Sequence, residues 1–150
     1  MKKNDLQLFR NILRVLEKSL NIHSDVETEH NGLSIGQSHV IMELNNIGCC
    51  SVKDLCVLMG LDKSTMSRTI DSLVSLGLAE RRENINDRRF LDISLTDKGK
   101  EKAVAINCVC TDFYSEVFKL IPKNKHDDII ESLSILTDAI GKYKKNKGKN

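Results

Sequence analysis

At 150 residues, with 40% hydrophobic and 29% charged residues, the chain has room for one compact domain or one domain plus a dimerisation extension. Its apolar runs are too short to span a membrane, and the segment after Met1–Asp5 is amphipathic, so no membrane partner and a cytoplasmic location are expected. The formal net charge is +2, but Lys142, Lys144, Lys145, Lys147 and Lys149 occupy the last nine residues without an acid, and taking these five from +2 leaves −3. Bulk charge therefore does not argue for a nucleic-acid partner; such an argument rests on where particular cations are held.

In chain order, Leu6, Phe9, Leu13, Leu16 and Leu20 recur at steps of three and four, which predicts one amphipathic helix over 5–22. Residues 23–34 are polar and read as a frayed helix end and a loop. Ser34 can cap a second helix to about Asn46, with Val40, Ile41 and Leu44 inward and Gly48 as its stop. Ser51 and Asp54 resemble a capping box for a short helix that Gly60 ends. Asp62 caps the next, with Met66, Ile70 and Leu73 as its inner face and Gly77 as its terminator. Two helices around a glycine turn predict a helix-turn-helix.

The period then changes. Leu78 to Glu83 suits a strand, and Leu91, Ile93 and Leu95 alternate with Phe90, Asp92 and Ser94. The polar tip between them, with Asn84, Asn86 and Asp87, makes a two-stranded hairpin, or wing. Thr96 caps a long helix to about Leu120, with Ala103, Ile106, Cys110, Phe113, Val117 and Leu120 as its stripe. Pro122 interrupts, and a last helix carries Ile129, Ile130, Leu133, Leu136 and Ile140 inward before a disordered tail. The fold class expected is mainly α with a small two-stranded β wing: a winged helix-turn-helix plus a helical dimerisation region.

These residues point to DNA. Lys63, Ser64, Thr65, Ser67 and Arg68 open the second helix of the motif, where side chains reach base edges, and Arg68 can fork onto guanine O6 and N7. Arg88 and Arg89 sit at the wing tip, suited to the narrow minor groove. No phosphate loop, His-Glu-x-x-His or nucleophile motif is present, so no catalytic residue, no cofactor and no enzyme activity are expected. The alternative is a non-catalytic protein-interaction module on the same scaffold.

The chain resembles the MarR family of winged helix-turn-helix transcription regulators. Asp87-Arg88-Arg89 followed by Leu95-Thr96-Asp97-Lys98-Gly99 carries the resemblance, with Asp62 through Arg68, Leu73 and Gly77-Leu78. It implies a single MarR-like domain over 1–150, with 34–97 as the DNA-binding part, 1–33 and 98–146 as dimerisation helices and 147–150 as a tail. It implies a homodimer whose first and last two helices pair between subunits, on an inverted-repeat operator in double-stranded DNA. Asp87 would hold Arg89 by a bidentate pair. Ser72 and Ser75 stand where relatives often carry basic residues, and Val57, Leu58, Val74 and Leu76 are more apolar than usual.

The expected function is a sequence-specific DNA-binding transcriptional regulator, a repressor released by a small-molecule, redox or metal signal. Of five cysteines, Cys56 and Cys110 are expected in the core, leaving Cys49, Cys50 and Cys108 as candidate sensor thiols. Cys49 and Cys50 follow Gly48 in a turn. His23, His30 and His39, near Glu27 and Glu29, are the candidate metal ligands, though their spacing is not that of a standard zinc site. Otherwise the effector is a small, partly apolar molecule bound between the DNA-binding and dimerisation regions, as the resemblance implies.

Overall fold

The computed structural model describes residues 2–84 and 91–147, with side-chain positions except at 3, 21–31 and 145. Its elements in order are α1 (Lys3–Asn31), α2 (Ile35–Ile47), β1 (Cys49–Ser51), α3 (Val52–Met59), α4 (Lys63–Ser75), β2 (Ala79–Glu83), β3 (Leu91–Leu95), α5 (Asp97–Lys119), a 3-10 turn (Lys123–Lys125) and α6 (His126–Lys147). The chain divides into two compact units, Met1–Val109 and Cys110–Asn150. No helix among the described residues is long and apolar enough to cross a membrane.

Local chemistry sets the helix boundaries of the first unit. Ser34 and Gln37 form a capping box on α2: the Ser34 amide donates to Gln37 Oε1 at 2.7 Å, and the Gln37 amide donates to Ser34 Oγ at 3.3 Å. Ser51 caps α3 through the Asp54 amide at 3.2 Å. Gly60 closes α3 with φ +62°, a left-handed backbone that glycine adopts without steric cost. The core is the meeting point of these short helices and the sheet: Val40, Ile41, Leu44, Leu55, Met66, Ile70, Leu73 and Ile93 have essentially no solvent exposure.

Three sequence expectations are corrected. The first helix runs through the polar stretch to Asn31, instead of fraying at 22 into a loop. The wing sheet has three strands in the order β1-β3-β2. Cys49–Ser51, expected as a turn, pairs antiparallel with β3 in the register Cys49–Ser94, Cys50–Ile93 and Ser51–Asp92. On the other side β2 pairs with β3 from Ala79–Leu95 to Glu83–Leu91. Third, the α6 stripe and Leu120, read as inward, are not buried within the single chain. Ile130, Leu133 and Ile140 on α6 are exposed, as are Leu6, Phe9, Leu16 and Leu20 of the amphipathic α1. Leu120 is 87% exposed.

The junction between α4, β2 and α5 is tied by the segment Leu95–Gly99. Thr96 Oγ1 donates to the Gly77 carbonyl at 2.7 Å and accepts from the Gly99 amide at 3.0 Å. Lys98 Nζ donates to the Leu76 carbonyl at 2.9 Å, so a cation caps the C-terminal end of α4. Gly99 is buried there, with no room for a side chain. These bonds fix the end of α4 against the start of α5. In the second unit, the Phe118 and His126 rings meet edge to face at 4.9 Å, and His126 Nε2 lies 3.0 Å from the Ile121 carbonyl.

Candidate nucleic-acid interface

Helix α4 turns Met66, Ile70 and Leu73 into the core and leaves the opposite face in solvent. That outer face carries Ser64, Arg68, Asp71 and Ser75 at steps of four, three and four, with Lys63 and Thr65 beside its first turn. Arg68 is exposed and makes no ion pair with a described residue. No ion pair with a described residue therefore has to break before its guanidinium meets a base edge. Ser67 is half-buried.

Asp62 governs the first turn of α4. Its Oδ1 accepts from the Ser64 and Thr65 amides at 2.9 and 3.0 Å, and the Ser64 and Thr65 hydroxyls donate to Oδ1 and Oδ2. The two hydroxyls, then the Thr65 amide, hold the Asp62 carboxyl far below the usual carboxylate range. A fixed anion thus occupies the helix N-terminus, where a DNA phosphate would otherwise be attracted. Because both hydroxyl hydrogens are committed, Ser64 and Thr65 present lone pairs outward and suit base amines better than phosphates.

Asp71, Arg81, Lys53 and Gln37 at this interface were not singled out from the sequence. Asp71 forms an ion pair with Arg81, whose Nη2 donates to Asp71 Oδ1, joining α4 to β2. Lys53, in the first turn of α3, lines a cavity of about 610 Å³ with Lys63, Asn84 and Asp92. Asn84 Nδ2 donates to Asp92 Oδ2 at 2.8 Å. A lysine just inside each capped N-terminus was the available signal for this groove. Gln37 Nε2 donates to Ser72 Oγ at 2.7 Å, so Ser72, which lacks a cation, serves as a link between α2 and α4. Asp87, Arg88 and Arg89 lie outside the described residues, and with them the expected pairing of Asp87 with Arg89.

The candidate sensor groups separate by environment. Cys49 and Cys108 are exposed; Cys50 is half-buried in β1. Burial first, then Asp54, the neighbouring Cys49, Asp92 and Glu43, pushes the Cys50 thiol up to about 11. That is the opposite of an activated thiol, so the environment of Cys50 argues against its candidacy. Cys56 and Cys110, expected in the core, are each half-buried. His39 is exposed on α2, whereas the His23 and His30 side chains lie outside the described set. Among the described residues no three His, Cys, Asp or Glu side chains cluster as a metal site.

Comparison with known proteins agrees with this geometry. Residues 31–89 match the model of the MarR family. The chain is 24% identical to the HTH-type transcriptional regulator BilQ of Clostridioides difficile (strain CD3), over 82% of this chain and 83% of that protein. It is 25% identical to the HTH-type transcriptional regulator TcaR of Staphylococcus aureus (strain Newman), over 94% and 91% of the two. Its fold superposes on the crystal structure of a MarR transcriptional regulator from Methanosarcina mazei Go1 with a TM-score of 0.80 at 23% identity, covering 91% of this chain and 99% of that one. Over residues 31–89, and in its overall fold, the chain is similar to the MarR family of winged helix-turn-helix transcription regulators.

Proposed function

We propose that this protein is a sequence-specific DNA-binding regulator that acts as a homodimer on an inverted repeat. The observation that carries the reading is the outer face of α4. An arginine with no described internal partner stands there among small polar residues, on a helix anchored by three fully buried side chains. Lys63, Ser64, Thr65, Ser67 and Arg68 form the major-groove set, and Asp87, Arg88 and Arg89 the wing set. Residues 34–97 are the DNA-binding part; 1–33 and 98–146 supply dimerisation. Exposed apolar stripes on α1 and α6 support that assignment, because a second subunit would bury them.

The regulatory signal is a small molecule. A cavity of about 370 Å³ lies at the C-terminal end of α4, lined by the apolar Leu33, Leu76 and Leu78 and the charged Lys98, Glu101 and Lys102. Its chemistry suits a small, partly apolar anion, and its occupation would press on the bonds that fix the end of α4. The regulator is then a repressor released by ligand. Selecting duplexes from a random library with the purified protein tests the whole reading. Enrichment of a two-fold symmetric motif supports it. A protein that stays monomeric by light scattering at micromolar concentration, or that enriches no motif, overturns it.

A further inference from the structure

Asp71 is out of place on a surface that approaches a polyanion. It stands one helical turn beyond Arg68 on the outer face of α4, and its side chain is 61% exposed. A bare carboxylate there would be repelled by phosphate. Arg81 changes that balance, since its Nη2 bonds Asp71 Oδ1 from β2, cancelling the charge at short range and holding the carboxylate in one rotation. Asp71 Oδ2 makes no ion pair or hydrogen bond with a described residue. What the helix presents beside Arg68 is therefore an oriented group that only accepts hydrogen bonds.

Acceptors discriminate sharply in the major groove. They attract the exocyclic amines of cytosine and adenine and repel guanine O6 and N7 and thymine O4. Cytosine offers its N4 amine with no acceptor on the same edge, whereas adenine sets N7 beside N6, against which a carboxylate is repelled. We propose that Asp71, oriented by Arg81, is a specificity-determining residue that accepts a hydrogen bond from a cytosine N4 amine in each half-site. This rests on the DNA-reading function proposed above. Three residues of helix advance about 4.5 Å, against roughly 3.4 Å per base pair. The cytosine thus lies one or two base pairs from the base contacted by Arg68.

The test selects duplexes from one random library with the full chain and with its Arg68→Ala, Asp71→Ala, Asp71→Asn, Arg81→Ala and Asp71→Ala/Arg81→Ala forms, each checked for an unchanged melting curve. The parent is expected to enrich a cytosine one or two base pairs from the position that Arg68→Ala relaxes. Asp71→Ala should reduce that cytosine preference by about tenfold. Asp71→Asn should move the preference toward adenine, whose N6 and N7 match an amide. Arg81→Ala should lower the cytosine preference in the parent and change it no further once Asp71 is absent, which a merely structural tie would not produce. A folded Asp71→Ala protein that keeps the parent's cytosine preference overturns the proposal and leaves the DNA-reading function standing. A parent that enriches no sequence overturns both.

Discussion

Gly99 lies directly beneath the backbone carbonyl of Leu78: a Cβ built on Gly99 would stand 1.9 Å from the Leu78 oxygen. That oxygen is already engaged, since it accepts from the Thr96 amide at 3.1 Å. The first turn of α5 can therefore pack against the start of β2 only because residue 99 has no side chain. Gly99→Ala is expected to destabilise the protein by about 1–3 kcal/mol or more, the range for overpacking against atoms that cannot rotate away. Denaturant unfolding of the two proteins checks it, and an unchanged midpoint would mean that the junction yields freely.

Arg68→Ala should cost about 1–3 kcal/mol of operator affinity if the guanidinium forks onto guanine, and should relax preference at one or two base positions. Competition binding against single-base operator variants reads both effects. Loss of affinity with an unchanged preference profile would reassign Arg68 to the phosphate backbone.

Asp62→Asn should lower stability at neutral pH, because an amide cannot receive the two hydroxyls and two amides as strongly as a carboxylate does. The Asp62 carboxyl is held below its ordinary 3.8. Its contribution is thus fully present above that value and is lost as pH falls through the lowered one. Melting curves of parent and variant should converge on acidification below pH 3.8, and a gap independent of pH would show that the carboxylate charge is immaterial to the cap.

Cys50 should alkylate more slowly in the folded protein than in the unfolded chain at neutral pH, since its thiol is raised from 9.0 to about 11. A raised thiol contributes stability that is complete below pH 9.0 and is lost as pH rises toward 11. Parent stability should therefore fall more steeply than that of Cys50→Ala across that window. Rapid labelling of Cys50 at pH 7, located by mass spectrometry, would contradict the assignment and return it to the candidate sensors.

The elements whose boundaries are written in local chemistry were legible from the chain alone. Ser34, Ser51, Asp62 and Thr96 each cap the helix they were expected to cap, and Met66, Ile70 and Leu73 bury the face their spacing indicates. What depended on distant partners was not legible. Cys49–Ser51 is three residues long, too short to display a strand period, and its identity comes from pairing with β3 more than forty positions later. The polar 23–31 stretch lacks an apolar stripe yet continues as helix, because nothing breaks it before Gly32, with φ +64°. At the interface, Arg68 was readable as a free cation on an outer face. The bond from Arg81 to Asp71 was not, because it crosses from a strand to a helix ten residues earlier.

The order β1-β3-β2 also dictates a sequence of assembly. The central strand is the last of the three to be synthesised, so neither β1 nor β2 has a partner until Leu91–Leu95 has left the ribosome. Joining β1 to β3 closes a loop that encircles α3, α4 and β2, and that closure carries an entropic cost before any pairing bond is made. A nascent chain halted before Leu91 would hold both reading helices without the strand that clasps them, and the regulator would gain its DNA-binding module in one late step.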